Sequence, residues 1–255
     1  MKIRLSLKNF LLYLALPLCV VAASLAGLSQ SAGDATKITQ ITTALLERAQ
    51  LSHRRLDDKL AAKFLDHYLD TLDGAHLLFL ASDVAEFDQL LPQLASLTEQ
   101  GDAIPAVTIF QRYRERLAQR ADFVKGLLHA GVFDFTGHDT WSFDREHAQR
   151  PRDLAAAQGL WQQQLRAEFL AEKLAGKKPG EITAGLARRY DRVLGTMSKL
   201  GPDAVLELYL NALAHVYDPH SDYMGREQME SFQIAMNLKL AGVGATLEAE
   251  DGYCK

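Results

Sequence analysis

Cysteine is nearly absent. Cys19 and Cys254 are the two in 255 residues, and Cys19 lies in a segment laid out like a leader. With that segment removed one thiol remains, so no internal disulfide forms and a large apolar core has to hold the chain together. A strong charge of one sign is lacking as well. Twenty-eight Lys and Arg against 32 Asp and Glu leave a formal net charge of -4, which gives no reason to expect a nucleic-acid partner or an anionic membrane surface. No repeat of fixed length recurs, which excludes a solenoid. Gly-x-Ser-x-Gly, Ser-x-x-Lys, His-Glu-x-x-His and Cys-x-x-Cys are all missing, so no local motif announces hydrolytic, zinc or thiol chemistry. Gly242-Val243-Gly244 is not a dinucleotide loop, because Leu247 stands where the third glycine belongs. Gly176-Lys177 is not a phosphate loop, because Ala171 and Lys178 are both wrong for one. No cofactor is expected.

The apolar run from Phe10 to Ala26 follows Lys2, Arg4 and Lys8 and precedes small polar residues. That layout predicts a secretory signal peptide over 1–26, cleaved at or near Ala26. A retained anchor is the alternative. The run is shorter than the ~20 residues a spanning helix needs, and Pro17 interrupts it. Leu18 is bulky where a small residue would precede a lipidated Cys19. The expected product is therefore exported and periplasmic, with no membrane partner after cleavage.

Helical periodicity dominates from Ile38 to Met236. Leu56, Leu60, Phe64, Tyr68 and Leu72 recur every four residues, with Leu65 and Leu69 widening the stripe, and Asp73-Gly74 closes that helix. Asp83 and Glu86 resemble a capping box, opening a helix through Phe87, Leu90 and Leu94 that Pro92 bends. Gly101-Asp102 punctuates. A long helix starts at Pro105, carries Ile109, Phe110, Tyr113, Leu117, Val124 and Leu128, and ends at Gly131. Val132 to Arg152 has no period, and Phe133, Phe135, Trp141 and Phe143 are available to tie that loop down. Helices resume over Asp153 to about Gly176, Pro179–Lys199, Pro202–Tyr217 and Arg226–Met236. After Leu238 the pattern turns strand-like. The fold class expected is mainly α.

Three clusters invite chemistry. His215, Asp218 and His220 mix imidazole and carboxylate across a helix end. A turn at Asp218-Pro219, with His220 bonded locally, is the preferred reading, and no metal is expected. Arg112, Arg116 and Arg120 line one helix face. That is either an anion-docking strip or, preferred, a solvated face balanced by Glu115 and Asp122. His67 and His76 flank a helix end, where core or capping roles are the default. Gly242, Val243, Gly244 and Ala245 make a small-residue entry to a strand, which can present consecutive N–H groups to a carboxylate while the strand edge pairs with an extended peptide.

The stretches "KFLDHYLDTLDGAHLLFLASDV", "DFTGHDTW", "LAGK", "RRY", "DPHSDYM" and "GVGATLEAEDGY" follow one another from Lys63 to Tyr253. In that order they resemble the N-terminal part of the bacterial tail-specific (carboxy-terminal processing) proteases. The resemblance implies a helical domain over 36–237 and the start of a PDZ domain over 238–255. Gly242, Val243, Gly244 and Ala245 would be its substrate-binding residues and Asp251-Gly252-Tyr253 its first turn. In the family a core with a serine/lysine dyad follows, which implies that the chain is truncated, and no catalytic residue carries over. Ala241 and Cys254 depart from the family pattern, where an acidic residue and an ordinary apolar residue are usual. The implied role is a non-catalytic scaffold that docks protein substrates with apolar C-termini or an envelope adaptor. A non-enzymatic helical interaction protein of the cell envelope is the alternative.

Overall fold

The computed structural model describes residues 34–49, 53–131, 133–138, 140–237, 249–250 and 253–254. Nine helices account for most of them. They are α1 (residues 34–49), α2 (Asp58–Asp73), α3 (Ala81–Asp88), α4 (Leu91–Glu99), α5 (Ile104–Ala130), α6 (Leu154–Leu174), α7 (Pro179–Lys199), α8 (Pro202–Tyr217) and α9 (Arg226–Asn237). Among the described residues none of these is long and apolar enough to cross a membrane. The chain divides into two compact units, one up to Asp222 and one from Tyr223.

Helix starts follow local chemistry. Asp57 caps α2 by accepting the Leu60 N–H at 2.8 Å, and Asp153 caps α6 by accepting the Ala156 N–H at 2.8 Å. Pro92, Pro105, Pro179 and Pro202 all stand in a first turn, where a missing N–H costs no hydrogen bond. Pro92 therefore opens α4 rather than bending one longer helix; a turn at Gln89-Leu90 separates α3 from α4. Asp83 is likewise displaced from its expected role. Leu80 is the cap residue of α3, and Asp83, three residues in, reaches back to the Leu80 N–H. Gly131 ends α5 at φ 68°, a left-handed position natural to glycine.

In the first unit α5 is shared by two packed layers. Its opening turns meet α2 and α8, while α2 also packs on α4. There Tyr209 lies against Phe64 (ring centroids 4.6 Å) and Tyr68 (5.2 Å), and its hydroxyl bonds Thr98 Oγ1 at 3.1 Å. The far half of α5 supplies Val124 and Leu128 to a second core. Ala157, Trp161, Leu165 and Phe169 of α6 and Ile182, Leu186 and Tyr190 of α7 complete it. Both cores use the stripes that the sequence places at helical spacing. Helix α1 joins through Gly101, where an added Cβ would lie 2.3 Å from the Thr36 carbonyl oxygen. Gln40 Nε2 donates to the Gln100 carbonyl nearby at 2.8 Å.

In the second unit, α9 is followed by an antiparallel pairing of β1 (Ala249–Glu250) with β2 (Tyr253–Cys254), Ala249 opposite Cys254 and Glu250 opposite Tyr253. No other strand occurs among the described residues. The rest of the expected strand start lies outside them.

Candidate functional site

Leu77, Leu78, Phe79 and Leu80 join α2 to α3 as a buried apolar run, each at most 5% exposed. Burial takes their N–H groups away from water, and each must find an acceptor. Two carboxylates provide all of them. Asp73 Oδ1 accepts from Leu77 at 2.9 Å, and its Oδ2 accepts from Leu78 at 3.0 Å and Phe79 at 2.9 Å. Asp83 Oδ2 accepts from Leu80 at 2.9 Å. Trp161 Nε1–H donates to the Leu77 carbonyl at 2.6 Å, tying the run to α6.

The two buried charges are met by arginines. Arg150 donates to Asp73 Oδ2 and to Asp70, both at 2.9 Å. Arg112 reaches Asp83 Oδ1 at 2.5 Å, and Arg116 forks onto both Asp83 oxygens at 2.8 Å. Burial pushes the Asp83 carboxyl up, but the bonds from Arg116, Leu80 and Arg112 outweigh it and leave the group below the usual carboxylate range. The arginine line is thus an internal clasp, neither a docking strip nor a solvated face. Arg120 completes it by donating to Gln164 at 2.7 Å and lying over the Tyr190 ring. Arg112 does also pair with Glu115 at 3.3 Å, whereas Asp122 pairs with Lys125.

His76 adopts φ 53° after α2, and its ring bridges the Ala148 carbonyl (2.5 Å) and Asp70 (3.0 Å). Together with Arg150 it fastens the aperiodic loop to α2. The aromatics of that loop divide. Phe133 stacks on Phe169 of α6 at 4.3 Å, and Phe135 stacks beside it at 5.9 Å. Phe143 stays 83% exposed, so it ties nothing down.

Between this loop and α6 runs an open cavity of about 300 Å³. Phe135, Trp141 and Phe143 form its loop side, and Leu170, Ala171 and Leu174 its helix side. Leu174 is 79% exposed. Cations border the apolar surface: Arg145 lies over Trp141 at 5.2 Å, Lys173 over Phe135 at 5.2 Å, and Arg166 donates to the Asp134 carbonyl at 2.8 Å. Exposed apolar surface of this kind is a common feature of ligand-binding and docking sites.

The cluster His215, Asp218, His220 does not converge. Asp218 accepts the His220 N–H at 3.1 Å and the Ser221 hydroxyl at 3.1 Å, which is the local turn. These bonds hold its carboxyl below the usual range, the His220 N–H first among the causes, although partial burial opposes them. His215 instead lies between His67 Nε2 (3.3 Å from its Nδ1) and Asp222 Oδ1 (2.8 Å from its Nε2). Among the described residues no three His, Cys, Asp or Glu side chains are placed to hold a metal. Gly242, Val243, Gly244 and Ala245 lie outside the described residues.

Residues 42–227 match the family described as the tail specific protease N-terminal domain. The chain belongs to that family. The match spans all of α2 to α8, so the clasp, the groove and the His67–His215 pair all fall within a tail-specific protease N-terminal domain. The tail-specific protease of Haemophilus influenzae is 33% identical over 270 residues, covering 98% of this chain. The chain spans 38% of that relative's length. The longest family-like stretch, Lys63 to Val84, contains Asp73, the Leu77–Leu80 run and Asp83, so it reads physically as the clasp. Asp73 ends α2, as the sequence pattern indicates; its part as acceptor for the next buried N–H groups is the feature that the periodicity does not reveal. A carboxylate just before four consecutive buried apolar residues was the available signal.

Proposed function

We propose that this chain is the non-catalytic helical region of a periplasmic tail-specific serine protease, acting as scaffold and as a docking surface for protein substrates. The family match over 42–227 carries this reading. The groove between α6 and the aromatic loop supports the docking part, because it leaves Phe143 and Leu174 exposed beside one another's walls with cations on the border. The occupant is an unfolded stretch of substrate rich in apolar side chains. Gly242, Val243, Gly244 and Ala245 would contribute separately, as the entry of a PDZ segment that holds a substrate's terminal carboxylate. Export follows from the leader-like segment over 1–26.

The experiment is binding of the purified chain to an unfolded protein with an apolar C-terminus, followed by fluorescence anisotropy. Phe143→Ser and Leu174→Ser each weaken it by roughly 5- to 10-fold, since each removes about 1 kcal/mol or more of apolar contact. Equal affinity for the wild type and the double variant would remove the groove from the proposal. N-terminal sequencing of the fractionated protein tests export; an intact Met1 in the cytoplasm counts against it.

A further inference from the structure

We propose that the groove beside α6 selects extended apolar segments that carry acidic residues at their flanks, the acids pairing with Arg145 and Lys173. The inference rests on the docking role proposed for the groove and names the chemistry of its occupant.

Two cations at the border are held by rings that line the groove. Arg145 lies over Trp141 and Lys173 over Phe135, each 5.2 Å from the ring centroid. A ring face attracts a cation but gives its N–H groups no strong acceptor. Arg145 spends its Nε–H on the Ala75 carbonyl at 3.2 Å, and its two Nη groups remain for a ligand. Among the described residues no carboxylate pairs with Arg145 or Lys173, and none lines the groove. Nearby acids are committed elsewhere. Glu172 pairs with Lys177 at 2.6 Å, and Asp134 Oδ1 accepts the Thr136 N–H at 2.9 Å and the Thr136 hydroxyl at 2.8 Å. Asp144 and Glu146 flank Arg145 in sequence but belong to neither wall. Arg166, the charged residue of the wall itself, already has partners, the Asp134 carbonyl among them.

The dimensions suit an extended chain. The helix wall runs from Gln163 to Leu174, about 16 Å at ~1.5 Å per residue, which an extended strand covers in about five residues. Apolar side chains of those residues meet Phe143 and Leu174, and carboxylates at the ends reach the cations on the border. A basic segment would set cation against cation. The formal charge of the whole chain is -4, so its long-range field favours basic ligands. A preference for acids can therefore arise only from these local cations.

The test is fluorescence anisotropy of the purified 255-residue chain with three labelled peptides. Each has the same apolar centre of about five residues, flanked by two Glu, two Gln or two Lys. At low salt the Glu peptide should bind roughly 3- to 10-fold tighter than the Gln peptide, the size expected of two exposed ion pairs, and the Lys peptide weakest. The gap should close near 1 M salt, where screening acts within about 3 Å. Lys173 is exposed, so Lys173→Gln leaves the fold intact, and it should cost the Glu peptide about threefold more than the Gln peptide. Equal binding of the Glu and Gln peptides, with both weakened by Phe143→Ser and Leu174→Ser, would overturn the acidic preference and leave the docking role standing. Binding indifferent to those two serine variants, or no binding at all, would remove both. An acidic preference that survives Lys173→Gln combined with Arg145→Gln would also overturn the inference, because it arises elsewhere on the chain.

Discussion

Replacing Asp73 with asparagine changes one oxygen into an NH2 group and removes one charge, with almost no change in volume. The Asp73 side chain is 3% exposed and receives four donors: the N–H groups of Leu77, Leu78 and Phe79, and Arg150 Nη1. Three of these converge on Oδ2. Asparagine serves best with its carbonyl there, and its NH2 then faces the Leu77 N–H, donor against donor. A buried donor left without an acceptor costs about 1–3 kcal/mol, and bonds to a charged acceptor weaken when the charge goes. Arg150, only 12% exposed, is left half-compensated. The total comes to about 3–4 kcal/mol, in the range for breaking one side of a buried ion pair. That is a large fraction of the ~5–15 kcal/mol that holds a typical domain. Urea unfolding, followed by tryptophan fluorescence, should show the midpoint falling by roughly 1–2 M at an unchanged slope of about 2–3 kcal/mol per M. A loss below about 1 kcal/mol would refute the idea that Asp73 holds the Leu77–Leu80 run.

Asp83 has a depressed carboxyl in the folded chain, so its contribution is complete above the unfolded value near 3.9 and disappears as pH falls through the native one. The stability difference between the wild type and Asp83→Asn should therefore be constant from about pH 5 to 7 and shrink below about pH 4; a difference unchanged at pH 3 would contradict this. Gly101→Ala places a Cβ 2.3 Å from the Thr36 carbonyl at φ 81°. It should free α1 from the first unit, seen as new proteolytic cleavage between residues 34 and 49, and an unchanged cleavage pattern counts against the packing described. Trp161→Phe removes the donor to the buried Leu77 carbonyl and leaves a small void. Thermal unfolding should report a loss of about 2–3 kcal/mol, and a loss within error of zero would show that the bond contributes nothing.

The helices were legible in the chain because their information is local. Apolar residues every three to four positions, prolines in first turns and Gly131 at a helix end each act within one or two turns. The starts of α7 and α8 fall where the sequence puts them. Asp83 and Pro92 depart from the sequence expectation because a carboxylate at the third helical position and one at the cap share the same spacing signature, and a proline looks alike whether it bends one helix or starts the next. What the tertiary structure alone decided are the partners of long side chains. Arg112 has Glu115 three residues on and pairs with it, yet both Arg112 and Arg116 also reach Asp83, some thirty residues away. A buried carboxylate gains more from a guanidinium than a solvated glutamate does. His215 likewise passes over Asp218, three residues on, and meets His67 across the α2–α8 packing. Sequence determines which faces are apolar and where helices begin and end. Which charges leave water, and which residues neutralise them, is settled only when those faces close on one another.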